Sequence, residues 1–126
     1  MMKFIVPIAV LGVALYRSFP IIQVVGDSMY PTYRDGEIIF GTRFFRKSKL
    51  KIGDVIVYKS PREDRTVIKR IAYMSADSKF FYCLGDNADH SYDSRHYGSV
   101  FSKRIMCKVI NQRRKENHEL TNNLCD

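Results

Sequence analysis

The stretch "VIVYKSPREDRTVIKRIAYM", residues 55–74, predicts two β-strands joined by a polar turn. Both arms, residues 55–59 and 66–74, are rich in the β-branched and aromatic residues that favour strands. The connecting "SPRED", residues 60–64, combines a proline with charged residues, which is typical of a turn. We therefore expect the two arms to pair as an antiparallel hairpin.

Other short strands are predicted on both sides of this hairpin. Turn signals such as Asp35-Gly36 separate them, and a long polar loop occupies residues 85–99. Short strands at close spacing predict a mainly β fold, with a compact antiparallel core over residues 21–110 followed by a polar tail at 111–126. The further strand candidates are "IIQVV" at 21–25, "IIFGTRFF" at 38–45, "FFYCL" at 80–84 and "RIMCKVI" at 104–110.

The N-terminus is apolar and is expected to form a helix. Residues 4–16 contain no charge and lie between Lys3 and Arg17. A helix of that length spans about 20 Å, whereas the hydrocarbon core of a bilayer needs roughly 30 Å. Extension to Ile22, with Arg17 snorkelling to a headgroup, predicts a retained membrane anchor over residues 1–20. A cleaved secretory signal and a buried core helix remain alternatives, although no small-residue cleavage motif follows the apolar run.

The overall composition limits the partners and cofactors. The chain has 126 residues and a net charge of +8, which suits one domain and favours anionic surfaces. No nucleic-acid-binding fingerprint accompanies the basic residues, so we predict no nucleic-acid partner. Cys83, Cys107 and Cys125 form no C-x-x-C pair, so we predict no metal site and no cofactor. A bridge between Cys83 and Cys107 remains open.

The stretch "VVGDSMYPT", residues 24–32, presents a serine in a glycine-containing turn. Serine is a weak nucleophile until a neighbouring base takes its proton. His90 and His96 lie in the polar loop and are formal candidates for that base, but no G-x-S-x-G elbow surrounds Ser28. The sequence therefore does not exclude a histidine as the base, but another residue type must also be considered.

A lysine is the second candidate for the base. Lys69 lies in an apolar run, and in a strand it shares a face with Val67 and Ile71. If that face is inward, burial disfavours the ammonium form and lowers the lysine pKa, which makes the amine a proton acceptor. The alternative is that Lys69 points to solvent.

Four segments in order resemble type I signal peptidases, which are membrane-bound serine proteases with a Ser/Lys dyad. With the apolar N-terminus, the resemblance covers most of residues 4–110. It implies a signal-peptidase-like antiparallel β core preceded by an apolar anchor helix. The matching segments are "GDSMYPT" at 26–32, "KIGDVIVYKSP" at 51–61, "VIKRIAY" at 67–73 and "LGDNADHSYDSRHYGSV" at 84–100.

The resemblance also implies roles for individual residues. Ser28 matches the nucleophile, Lys69 the general base, and Ser91 the serine that holds the lysine amine in place. The Ser28 backbone N–H matches one oxyanion donor, while a side-chain donor found in some members is absent because Gly26 occupies its position. The supporting charged pairs implied by the resemblance are Asp93 with Arg95 and Arg70 with Asp86.

The implied substrate is an exported preprotein, cut after small residues at positions −1 and −3. It is expected to lie as an added β-strand between residues 23–25 and 66–68. The resemblance further implies attachment to the cell membrane, with the catalytic domain on the outer face. The candidates for the shallow apolar substrate pockets are Val24, Val25, Met29 and Ile68.

The chain departs from the larger members of this family. Only about ten residues, 73–82, join the lysine segment to the last segment, where larger members carry an extra β domain. This indicates a minimal catalytic core and leaves the substrate range open. The rival interpretations are a self-cleaving SOS-repressor-type Ser/Lys peptidase, which lacks the apolar N-terminus, and a non-enzymatic basic β domain at a membrane.

Overall fold

A computed structural model describes residues 5–110 and 112–114. The regular structure of these residues consists of one N-terminal helix, one short helix and seven strands, with three single 3₁₀ turns between them. The helices are α1 (Ile5–Ser18) and α2 (Ser94–Tyr97). The strands are β1 (Ile21–Gln23), β2 (Ile38–Thr42), β3 (Val55–Lys59), β4 (Thr66–Met74), β5 (Phe80–Leu84), β6 (Val100–Phe101) and β7 (Ile105–Val109).

The seven strands form one sheet in the order β1-β2-β7-β3-β4-β5-β6. Every neighbouring pair is antiparallel, as the sequence predicts. The β3–β4 hairpin is confirmed: Val57 lies opposite Ile68, and the Ser60 N–H closes the turn by donating to the Arg65 carbonyl at 2.8 Å. The long connection between the ends of β2 and β3 lets β7 insert between them, so the central strand β3 has partners from distant parts of the chain.

The sheet has a hydrophobic cluster on each face, and the side-chain alternation along β3 explains why. Val55 and Val57 belong to one cluster, whereas Ile56 and Tyr58 belong to the other. All four side chains are buried, so β3 is the centre of the core. Cys107 lies in the first cluster and Cys83 in the second, and both are free thiols, so the bridge left open by the sequence is not formed.

Two elements were not predicted, namely the edge strand β6 and the short helix α2. Both lie in or beside the polar loop, where hydrophobic periodicity gives no signal. A capping box starts α2: the Asp93 carboxylate accepts from the Arg95 N–H, and the His96 ring nitrogen accepts from the Asp93 N–H. The helix therefore starts from two side-chain hydrogen bonds and not from an apolar face packed on the core.

The helix predicted at the N-terminus is present as α1, and its large apolar side chains between residues 8 and 16 are exposed. No helix in the described part of the chain is both long enough and apolar enough to cross a lipid bilayer, whereas the sequence predicts an anchor over residues 1–20. Residues 1–4 of that prediction lie outside the described residues.

The polar tail begins with ordered contacts to the core. The Gln112 side chain accepts from the Val55 N–H at 2.7 Å and donates to the Val55 carbonyl at 3.1 Å. The side-chain amide thus makes the two backbone hydrogen bonds that a neighbouring strand would make. The next residue, Arg113, donates to the Tyr33 hydroxyl and to the Thr32 carbonyl. The rest of the predicted tail, Asn111 and residues 115–126, lies outside the described residues.

Candidate active site

Ser28 and Lys69 meet at the N-terminal half of β4. The Lys69 amine Nζ donates to the Ser28 hydroxyl Oγ at 2.8 Å. Strand alternation places Lys69 on the same face as Ile71, and the lysine is only 4% exposed. The side chain therefore faces inward, toward the turn that carries the serine, and does not point to solvent.

Burial is the main influence on the Lys69 amine. Loss of hydration lowers its pKa, the nearby Asp93 carboxylate opposes that effect, and the Arg95 guanidinium adds to it. The net direction is a pKa below that of a free lysine, so a larger fraction of the amine is neutral near pH 7. A neutral amine at 2.8 Å from a hydroxyl is placed to accept its proton.

The turn carrying Ser28 is held by contacts from both of its ends. Gly26 adopts a φ of 86°, which favours glycine, and its N–H donates to the Asp35 carboxylate at 2.8 Å. On the other side, the Asn87 N–H donates to the Ser28 carbonyl at 2.9 Å, and the Asn87 side chain donates to the Asp27 carbonyl at 3.0 Å. Within residues 5–110 and 112–114, no acceptor takes the Ser28 backbone N–H.

Gly85 lets the polar loop approach the serine turn closely. A Cβ at this position would lie 2.1 Å from the Ser91 Oγ and 2.6 Å from the Ser28 carbonyl oxygen. Only a residue without a side chain fits between those two groups. The glycine therefore brings Ser28 and Ser91 to the same place.

Asp93 organises the polar loop from a fully buried position. Its carboxylate accepts from the Ser91 hydroxyl at 2.7 Å and the Gly85 N–H at 2.9 Å, and it pairs with two nitrogens of Arg95 at 3.0 and 2.6 Å. Burial alone raises the pKa of Asp93, but the hydrogen bonds from Arg95, Gly85 and Ser91 outweigh it and hold the carboxyl pKa well below its usual range. The aspartate is therefore a fixed negative charge beside Lys69.

The Ser91 hydroxyl donates to Asp93, so its oxygen keeps a lone pair for a further donor. The Lys69 amine makes its one hydrogen bond in the described part of the chain to Ser28, so the direct Ser91–lysine contact implied by the resemblance is not formed here. Ser91 nevertheless lies within the same cluster, because Gly85 contacts both serines.

The second charged pair lies on the opposite side of β4. The Arg70 guanidinium donates to both oxygens of Asp86, at 2.9 and 2.8 Å, and its third nitrogen donates to the Gly53 carbonyl at 2.7 Å. Asp86 also accepts from the Thr32 hydroxyl at 2.6 Å. Thr32 was not singled out from the sequence, although its position at the end of the serine segment was a usable signal.

Neither His90 nor His96 is hydrogen-bonded to Ser28. His96 caps α2 and stacks on the Tyr92 ring at a centroid distance of 4.8 Å, and His90 is exposed. The oxygen of Ser28 is hydrogen-bonded to Lys69 and, among the described residues, to no histidine. In the same part of the chain, no group of three or more His, Cys, Asp or Glu side chains could hold a metal ion.

A cavity of about 350 Å³ opens beside the Ser28–Lys69 pair. Val25 and Ile68, two of the predicted pocket residues, line it; Val25 is 82% exposed. Val24 and Met29 do not line it, because they point into the first hydrophobic cluster. Gln23, Thr66 and Val67, from the two segments predicted to flank the substrate, also line it. The lining residues not singled out from the sequence are Ile22, Val57, Ser60, Glu63, Arg65 and Tyr92.

Comparisons with known proteins identify the family of the chain. The family model described as "Signal peptidase, peptidase S26" matches residues 1–78, which include both Ser28 and Lys69. Mitochondrial inner membrane protease subunit 1 of Schizosaccharomyces pombe is 31% identical over 152 aligned residues, covering 98% of this chain and 95% of that protein.

Signal peptidase complex catalytic subunits are similar over a shorter region. SEC11 of Clavispora lusitaniae is 33% identical over 79 residues, and SEC11 of Scheffersomyces stipitis is 28% identical over 79 residues. In both cases the match covers 61% of this chain and 46% of the relative, so the chain matches about half of the length of these proteins. Taken with the family model and the nearly full-length match to the mitochondrial protease subunit, these similarities show that the chain belongs to the peptidase S26 family of signal peptidases.

Proposed function

We propose that this protein is a membrane-attached serine endopeptidase that removes signal or leader peptides from preproteins after small residues at −1 and −3. Ser28 is the nucleophile and Lys69 the general base. The observation that carries the proposal is the 2.8 Å approach of a buried lysine amine to a serine hydroxyl that lines a cavity. The similarity to signal peptidases supports the substrate class.

The reaction would proceed through an acyl-enzyme. Neutral Lys69 takes the proton from Ser28 as the serine oxygen forms a bond to the scissile carbonyl carbon. The Ser28 backbone N–H, which has no acceptor within the described residues, donates to the developing oxyanion. The C–N bond then breaks as the Lys69 ammonium returns the proton to the leaving amine, and Lys69 next activates the water that hydrolyses the ester.

Substrate binding as an added strand is supported by an open edge on β4. β4 pairs with β3 from Thr66 onward, whereas its described pairing with β5 begins only at Arg70. The backbone groups of residues 66–69 on that side are therefore available to an extended peptide next to Ser28. The limited cavity, with Val25 and Ile68 on its wall, suits small side chains at the cleavage site.

Membrane attachment is supported by α1 and by the names of the relatives. Ile8, Leu11 and Val13 of α1 are 69%, 60% and 55% exposed, which is costly in water and favourable in lipid. One relative is named as an inner membrane protease subunit. We propose that α1 contacts the lipid and that the sheet domain stands on the outer face, to which preproteins are delivered.

The test is cleavage of a peptide that carries alanine at −1 and −3. Ser28→Ala should lose activity for want of a nucleophile, and Lys69→Arg because arginine stays protonated at any working pH. Lys69→Met should be inactive but folded, since methionine fills the buried space without a charge. We expect losses of about 10³-fold or more in kcat. Lys59→Arg, at the exposed end of β3, is the matched control and should retain activity.

Two outcomes would overturn the assignment. Substantial cleavage by Lys69→Arg would exclude lysine as the base. Loss of cleavage in His90→Ala or His96→Ala, with Lys69→Met active, would indicate a histidine base.

A further inference from the structure

Arg113, in the C-terminal segment, contacts the loop that carries the serine. Its backbone N–H donates to the Tyr33 hydroxyl at 3.3 Å, and its guanidinium lies over the Tyr33 ring at 5.1 Å from the centroid. The same guanidinium donates to the Thr32 carbonyl at 3.1 Å and forms an ion pair with Glu37. One side chain thus holds three residues of the connection between β1 and β2.

The contacts of Arg113 complete a closed ring of hydrogen bonds that also contains Arg70, Asp86 and Thr32. The Arg113 carbonyl accepts from Arg70 at 2.8 Å, Arg70 pairs with Asp86, and Asp86 accepts from the Thr32 hydroxyl at 2.6 Å. Thr32 returns to Arg113 through its carbonyl. Each bond in the ring involves a charged group or a carbonyl, and the Asp86 side chain is only 2% exposed.

Three members of this ring lie close in sequence to residues of the candidate active site. Arg70 follows Lys69 directly, and Thr32 follows Ser28 by four residues. Asp86 follows Gly85, which lies against both the Ser28 carbonyl and Ser91. A displacement of the ring would therefore be transmitted through the backbone to the Ser28–Lys69 distance.

The serine loop, residues 24–37, has no strand of its own. A backbone hydrogen bond from the Val24 N–H to the Glu37 carbonyl joins its two ends, and the contacts of Arg113 add side-chain bonds to the loop. Arg113 is the member of the ring that lies farthest along the chain. Its contacts thus link the end of the described chain to the serine loop.

We propose that Arg113 is a positioning residue, which sets the Ser28–Lys69 geometry by closing the ring with Thr32, Asp86 and Arg70. The inference rests on the proposed peptidase function for its catalytic consequence. Removal of the Arg113 side chain takes a donor from the Thr32 carbonyl and breaks the ion pair of Glu37, whose carboxylate still accepts from the Arg34 N–H, while the peptide-binding edge of β4 is untouched. The loss should therefore appear in kcat and not in KM.

The experiment compares Arg113→Ala, Arg113→Lys and Arg114→Ala in the full chain. Arg114 is the adjacent exposed arginine and serves as the control for charge. We expect Arg113→Ala to lower kcat about 10- to 100-fold with KM changed less than about twofold, because small misplacements of reacting groups have effects of that size. Arg113→Lys, which keeps the charge opposite Glu37, should recover part of kcat, and Arg114→Ala should match the unsubstituted protein.

Hydrogen exchange of residues 24–37 gives a readout that does not depend on cleavage. Arg113→Ala should speed exchange in this loop, whereas exchange in the central strand β3 should stay unchanged. Wild-type kcat in Arg113→Ala, or unchanged exchange in the loop, would overturn the proposal. A rise in KM equal to the fall in kcat/KM would also overturn it. If the unsubstituted protein fails to cleave, the peptidase function fails, and the exchange comparison still decides whether Arg113 holds the loop.

Discussion

At the scale of single residues, Lys69 illustrates how one side chain can be both buried and chemically useful. Burial lowers its pKa, and two opposite charges next to it act in opposite directions: Asp93 raises the pKa and Arg95 lowers it. The two charges are paired with each other at 2.6 Å, so their effects on the lysine partly cancel. The pair therefore braces the loop while leaving desolvation as the dominant influence on the amine.

The two charges should shift the pH dependence of cleavage in opposite directions. Activity requires neutral Lys69, so it should rise with pH through the lowered pKa of the amine. Asp93→Asn removes the charge that favours the ammonium form, and the midpoint of kcat/KM should move to lower pH. Arg95→Gln removes the charge that disfavours it, and the midpoint should move to higher pH. The measurement is the pH profile of kcat/KM for peptide cleavage by each variant.

The direction of each shift, and not the loss of activity, is the decisive result. Both substitutions disturb the hydrogen bonds of the polar loop and should lower the maximal rate. Midpoints that move in the same direction for both variants would mean that the charges act only through loop structure, and the electrostatic account of Lys69 would be wrong.

At the scale of elements, all strands except the edge strand β6 were predictable, and the loop that completes the site was not. Residues 55–59 and 66–74 become strands with the predicted limits, because alternating burial leaves a clear pattern in β-branched residues. α2 depends on a capping box within a polar loop, and the close approach at Gly85 depends on atoms that are distant in sequence. Composition and periodicity do not predict such contacts, so only the family resemblance pointed to Ser91 and Asp93.

Gly85 gives a test of that loop packing. A methyl group in Gly85→Ala would lie within 2.6 Å of the Ser28 carbonyl oxygen, so the serine turn or the loop must shift. We expect a loss of stability of about 1–3 kcal/mol, as for other overpacked sites, and a fall in cleavage of about 100-fold. Gly12→Ala, in α1 with no atom within 4 Å of the added carbon, is the matched control. Thermal unfolding and peptide cleavage measure the two effects.

Full activity in Gly85→Ala would show that the loop can retreat without moving the serine. In that case the contacts of Asn87 with the serine turn would be the ones that fix the nucleophile, and Asn87→Ala should then carry the loss.

At the scale of the whole molecule, the apolar surface of α1 continues onto the sheet. Ile21 and Phe40 are register partners of β1 and β2, and they are 56% and 47% exposed. The Phe19 ring, just after α1, packs on Phe44 with centroids 5.8 Å apart, which links the helix to this part of the sheet. The sequence predicted that the apolar segment extends to Ile22, but not that Phe40 and Phe44 add to it, because outward apolar residues in and beside β2 have the same composition as the core.

This continuous apolar surface leads to a test of membrane attachment. Leu11→Asp and Val13→Asp each place a charge on the exposed apolar side of α1, and transfer of a carboxylate into lipid is costly. Full-length protein should float with liposomes containing anionic lipid in a density gradient, and the two variants should float less. Tyr73→Asp, an exposed aromatic residue on β4 that is 68% accessible, is the control and should float like the unsubstituted protein.

Because none of the three substitutions falls in the catalytic machinery, each variant should still cleave a soluble peptide. Cleavage of a membrane-inserted preprotein should fall only for the two α1 variants. Equal flotation of all four proteins would mean that α1 does not contact lipid, and the attachment would then have to reside elsewhere in the chain.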